Sequence, residues 1–208
     1  MTTKRIIILP VLLMSLATAA QAQRIRDLFA AAPDEVLPLM TKNNRLDCID
    51  FIENKMEARV KDKFDNDVIL EELAEDYLRI VTSSASIVEM KLVYPAGSDG
   101  RRDTSVVVYV AETCKGPTAD TQVRAYNRNW NFIREVPRPE VSEFVRQDSA
   151  LSDDARTDIV VEAKILPLIK GSLSKTDDTL TWTLQTGEFT RETKQAADGC
   201  LQPVVVRL

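Results

Sequence analysis

The sequence predicts an α+β fold: N-terminal helices packed on a curved antiparallel meander sheet. Two observations lead there. The hydrophobic period is helical through the segment 24–60 and becomes two after Ala74. The turn clusters between successive strand-like runs are too short for parallel crossovers, which need a dozen or more residues. Helices segregated from strands in this way favour α+β over α/β.

The elements follow in order. Ile25, Leu28 and Phe29 start a short apolar face, and Pro33-Asp34-Glu35 opens another turn. Thr41-Lys42-Asn43-Asn44-Arg45 reads as a polar turn, with Asn43 or Asn44 as N-cap of the next helix. In that helix Leu46, Ile49, Ile52 and Met56 form the apolar face, widened by Phe51. A charged connector, Lys61 to Asp67, leads into Val68–Ala74, and after it Tyr77–Thr82, Ile87–Tyr94, Thr104–Glu112, Thr121–Tyr126 and Asn131–Glu135 are rich in Val, Ile, Thr and Tyr and read as strands. Between Ile87 and Tyr94, the set Val88, Met90, Leu92 and Tyr94 is expected to face the core; Ile87, Glu89, Lys91 and Val93 alternate with it. Pro95–Gly100 and Lys115-Gly116-Pro117 are turn clusters.

Pro137 and Pro139 end the meander. Glu140–Gln147 is a candidate helix. Ser152-Asp153-Asp154 looks like the cap of another, running through Lys164 with Ile159 and Val160 on its apolar side. Leu168–Ser174 and Thr179–Thr186 flank a polar turn, with Leu180, Trp182 and Leu184 facing one way, and Pro203–Leu208 is a terminal strand. Residues 75–80 weakly match 177–182. Two related helix-plus-meander halves, 23–136 and 137–208, are therefore kept open beside a single α+β domain spanning 23–208.

Residues 1–22 have the layout of a secretory signal peptide: Lys4 and Arg5, an apolar run from Ile6 to Leu16, then small residues ending Ala20-Gln21-Ala22. Cleavage is expected between Ala22 and Gln23, so the new N-terminus is not an acylatable cysteine. The apolar run is shorter than the roughly 20 residues of a membrane-spanning helix. No transmembrane segment is expected after cleavage, and a periplasmic or secreted location follows. The formal charge of −5 becomes about −7 once Lys4 and Arg5 are removed. That balance disfavours nucleic acid and anionic membranes as partners.

The chain has no histidine. This excludes Ser-His-Asp and Cys-His hydrolases and most catalytic zinc sites. The cysteines, Cys48, Cys114 and Cys200, form no C-x-x-C pair. An exported chain with three cysteines has at most one intramolecular bridge. Cys48 lies on a helix and reads as a buried apolar residue. Cys114 and Cys200, both in loop-like sequence, are the candidate pair; three free thiols are the alternative.

Apparent motifs dissolve on inspection. Ser172-Leu173-Ser174-Lys175 fits S-x-x-K but sits in a hairpin, not at a helix start, and lacks K-T-G and S-D-N partners. The acidic run Asp62–Asp67 fails the calcium-loop pattern, since counting from Asp65 puts Ile69 and Leu70 at positions five and six. Trp130 and Trp182 read first as core residues and second as sugar-stacking platforms. No catalytic, cofactor-binding or metal site is predicted, and no cofactor is expected.

The stretch Leu37–Phe51 resembles a family of uncharacterised exported proteins of Bacteroides-type bacteria. So do Asp76-Tyr77-Leu78, Ser86–Met90, Lys115-Gly116-Pro117 with Ala119-Asp120, and Thr179–Trp182. The resemblance runs along nearly all of residues 23–208. It implies an envelope location and a domain of unknown function, and it carries over no functional residues. Within it, Thr41, Lys42, Asn43, Asn44 and Arg45 are the candidate interaction loop, against simple capping.

These readings point to a non-catalytic exported binding or envelope-associated protein, with an unknown protein or a small or apolar ligand as partner. Exposed apolar residues on a sheet would support it. Two alternatives stand beside it. A carrier of a lipid or other apolar ligand needs an enclosed cavity. A carboxylate-dependent hydrolase needs two Asp or Glu in one cleft.

Overall fold

The computed structural model describes residues 24–94, 106–147 and 151–208. The predicted signal segment, with Ala20, Ala22 and Gln23, and the turn 95–100 lie outside the described residues.

Two helices open the fold, α1 (Ile25–Ala31) and α2 (Lys42–Glu53). Seven strands follow: β1 (Ala58–Lys61), β2 (Asp67–Leu73), β3 (Tyr77–Ser83), β4 (Ser86–Val93), β5 (Val107–Cys114), β6 (Asp120–Asn127) and β7 (Phe132–Glu135). They lie in sequence order, each antiparallel to the next. The predicted α+β meander is therefore present, with two strands more than expected, β1 and β2. Ala58–Lys61 is not the end of a helix: it pairs with Asp67–Leu70 across a short turn.

A 3-10 turn, Val141–Phe144, stands where a full helix was expected. Then come α3 (Asp153–Ile165), β8 (Ile169–Leu173), β9 (Thr179–Leu184), α4 (Arg191–Ala197) and β10 (Val204–Arg207). Ser152 caps α3 as predicted, its Oγ accepting from Ala155 N at 3.2 Å. β8, β9 and β10 form a second antiparallel sheet with β9 in the middle. Arg191–Ala197 carried no helical signal because α4 buries little more than Ala197.

The large sheet is covered on both faces. On one, α1 and α2 supply Ile25, Leu28, Phe29, Cys48 and Ile49 to a core with Leu78, Ile80, Met90, Val108 and Val110. On the other, Tyr77, Tyr109, Ala111 and Val123 pack against Ile169, Leu180 and Trp182 of the small sheet. The expected outward set on β4 is corrected accordingly. Glu89, Lys91 and Val93 are buried, because β8 lies over them. β8 approaches closely at Gly171, where a Cβ would sit 2.8 Å from the Trp182 ring and 3.3 Å from Thr121 Cγ2. Trp182 is fully buried, a core residue and not a ligand platform.

The α2 face also needs correction. Arg45, Cys48 and Ile49 point inward, whereas Leu46 and Met56 are 44% and 51% exposed. Met56 lies beyond the helix end at Glu53, and the inward stripe is Arg45, Cys48 and Ile49 with Phe51 and Ile52 at its margin.

Candidate functional site

The buried polar groups of the interior hold the layers together. Tyr77 Oη donates to Glu89 Oε1 at 2.7 Å, and the same carboxylate accepts from Ser172 Oγ at 3.3 Å and Leu173 N at 3.4 Å. Burial and the neighbouring Glu89 carboxylate raise the Tyr77 phenol well above its ordinary value. Nearby, Lys91 Nζ donates to Asp76 Oδ2 at 2.8 Å. Glu89 thus ties β8 to β4 through Ser172 and Leu173, with a third donor from Tyr77 on β3. It is buried between the sheets, with its carboxylate engaged by these structural hydrogen bonds.

The sequence-predicted groups disperse. Thr41–Arg45 is no loop: Thr41 is the N-cap of α2 and residues 42–45 form its first turn. Asn44 stands at the third helical position, where its Oδ1 accepts from Thr41 N at 2.9 Å while Thr41 Oγ1 accepts from Asn44 N at 3.2 Å. That reciprocal pair is a capping box. Arg45 is buried and donates to Met40 O at 2.9 Å. Lys42 and Asn43 remain exposed. Ser172 turns to Glu89, and Lys175 pairs with Glu72, so the S-x-x-K residues share no site. Asp62 accepts from Phe64 N at 2.7 Å and Asn66 N at 2.9 Å, closing its own turn. Partial desolvation pushes its carboxyl up, but these hydrogen bonds win and hold it below the ordinary value. Among the described residues no group of three or more acidic or cysteine side chains is placed to hold a metal.

The three cysteines are free thiols, so the expected Cys114–Cys200 bridge is not formed. Cys114 ends β5 and is exposed, while Cys200 follows α4 and is half-buried. Cys48 is buried as expected, and desolvation pushes its thiol up to about 12. Between α1, α2 and the sheet, the cavity beside Leu37, Met40 and Val88 measures about 50 Å³, well short of the several hundred Å³ that a lipid-sized ligand needs. A wider cleft of about 390 Å³ opens at the edge of this layer, where Arg24, Arg26, Glu53 and Glu75 stand beside Ile52 and Leu73.

The surface feature that stands out lies at the β6–β7 end of the large sheet. Asn127 Oδ1 accepts from Asn129 N at 2.9 Å and Asn131 N at 3.0 Å, tightening the turn between the strands. Trp130 sits in that turn at φ 62°, a left-handed conformation that a bulky residue adopts only when its surroundings hold it there. Its ring lies 5.7 Å from Tyr126, and Phe132 meets Tyr126 edge-on at 6.0 Å. A bulge follows: Tyr126 opposes Phe132 and Ala125 opposes Arg134, leaving Ile133 without a register partner. Phe132 is 60% and Ile133 48% exposed.

The turn after α1 forms the facing wall. Pro33, Glu35 and Val36 enclose, with Tyr126, Trp130 and Phe132, an open groove of about 520 Å³. β7 is an outer strand of the sheet, and all four of its residues are exposed. The opposite outer strand, β1, is guarded by charge: Arg59 and Lys61 pair with Asp67, at 3.2 and 3.0 Å. β7 presents the exposed Phe132 and Ile133 beside an aromatic groove, followed by the exposed Arg134 and Glu135. Trp130 was legible in the sequence as an aromatic between strands. Its partners Pro33 and Val36 were not, since only the fold brings them to it.

Comparison with known proteins identifies the family. Residues 17–207 match the family model described as "Protein of unknown function (DUF3256)". The chain belongs to the DUF3256 family. A solved structure of a domain of an uncharacterized protein from Porphyromonas gingivalis W83 is similar, with a TM-score of 0.69 at 24% identity. The match covers 89% of this chain and 94% of that one, so the DUF3256 α+β fold is shared. No curated protein matches. In this DUF3256 chain no helix of the described residues is long and apolar enough to cross a membrane.

Proposed function

We propose that this chain is an exported, non-catalytic binding protein whose recognition surface is the groove formed by Tyr126, Trp130 and Phe132. The observation that carries the reading is the exposure of Phe132 and Ile133 beside a walled groove on an outer strand. Solvated apolar side chains gathered at one place mark interaction sites. The lack of any imidazole argues for binding over acid–base catalysis near neutral pH. Export is supported by the layout of residues 1–22.

The test joins both claims. Cell fractionation should recover the protein outside the cytoplasm, with Gln23 at its N-terminus. Native mass spectrometry of that material should show a bound species that Phe132→Ser loses while the fold is kept. A cytoplasmic protein starting at Met1 would remove the export claim. A bound species retained by Phe132→Ser would move the binding site elsewhere.

A further inference from the structure

The groove has a chemical preference that follows from its walls. Three aromatic rings line it, and among the described residues that line it Glu35 is the one carrying a charge. Trp130 Nε1 is buried and has no hydrogen-bond acceptor among the described residues. That nitrogen is covered, so the indole can offer a ligand its π surface and not its N–H. Apart from Glu35, the polar side chain at the rim is Asn129. A sugar stacked here would leave most of its hydroxyls without protein partners. A cation fits better: aromatic faces attract it through their quadrupole, and a carboxylate at the rim complements its charge. Arginine and lysine side chains also carry apolar stems that suit Pro33 and Val36.

The neighbouring strand narrows the source. β7 borders the groove and, among the described residues, has no strand on its outer side. An extended segment lying along that edge would place a side chain over Phe132. Pro137 and the bulge at Ile133 keep such pairing short, which makes the side-chain pocket, not a long ladder, the source of selectivity.

We infer that the groove receives an arginine or lysine side chain presented by an extended segment of a partner protein, held by Glu35 and the Trp130 and Phe132 rings. This rests on the groove being the binding surface. The test uses amide-resolved NMR of the folded protein with two capped heptapeptides. One has a central arginine; the other has citrulline, its neutral near-isostere. The arginine peptide is expected to shift signals of Glu35 and Asn129–Glu135 and to bind at least about tenfold more tightly at low salt, since charge-assisted contacts weaken as salt rises. Glu35→Gln should erase the difference between the peptides, and Phe132→Ala should abolish binding of both. Equal binding of the two peptides in the groove, or of a neutral oligosaccharide there, overturns the cationic preference and leaves the groove as a binding surface. No shift in the groove with any of the three probes overturns both readings.

Discussion

At Gly171 a side chain would collide with the Trp182 ring on the paired strand β9 and crowd Thr121 of the large sheet. The missing Cβ leaves room for both. Thr121 Oγ1 also pairs with Thr113 Oγ1 at 2.8 Å, so the neighbourhood is fixed by hydrogen bonds and cannot yield freely. Gly171→Ala is therefore expected to destabilise the fold by about 1–3 kcal/mol through overpacking. Urea unfolding followed by the fluorescence of buried Trp182 would measure it; an unchanged midpoint would show that the sheets can part without cost. Trp130 illustrates the other use of a constrained residue. Its positive φ is held by the Asn127 side chain and ring contacts, which keep the half-buried indole against Tyr126.

Among the elements, β4 shows where reading the sequence succeeds and where it stops. The alternation of Val88, Met90 and Leu92 identifies a strand and a core face. The intervening Glu89 and Lys91 read as solvated, and nothing local says otherwise. Their burial depends on β8, a strand supplied by the far end of the chain. The meander was legible for the same reason that β8's placement was not: pairing with the next strand leaves turn signals, whereas docking of one sheet on another leaves none. The α2 start was misplaced because Thr41 and the two asparagines are all good caps. The third-position contact of Asn44 decides among them. Because Glu89 joins the sheets, Glu89→Ala should strand the Tyr77 hydroxyl and Leu173 N–H and cost about 1–3 kcal/mol. Hydrogen exchange should then quicken first in β8 and β9. Uniform quickening across both sheets would mean that they open together.

For the molecule as a whole, pH acts on carboxylates alone among groups that titrate below neutrality, since the chain has no histidine. Lys63 holds Asp34 below its ordinary value, and Lys61 does the same to Asp67. The Thr193 and Thr190 donors lower Glu162, and the Thr179 hydroxyl lowers Asp177. A carboxyl depressed in the folded state adds stability above its unfolded pKa and loses it as pH falls through the folded value. With unfolded values of 3.8 and 4.5, the loss begins near pH 5 and deepens below 3.8. Melting temperatures should be nearly flat from about pH 6 to 8 and drop on acidification. A step between pH 6 and 7 would contradict this account.

The strictly sequential order of β1 to β7 has a consequence for folding. Each hairpin can close on its neighbour with little loop entropy to overcome. Yet the face bearing Tyr77, Tyr109, Ala111 and Val123 stays bare until β8 and β9 dock on it. A chain in which the meander has formed first therefore has one finished core and one sticky face. A fragment ending at Pro139 should keep the circular dichroism of the meander and bind an apolar dye that the full chain ignores; a fragment that stays dye-free would show that the bare face finds cover of its own.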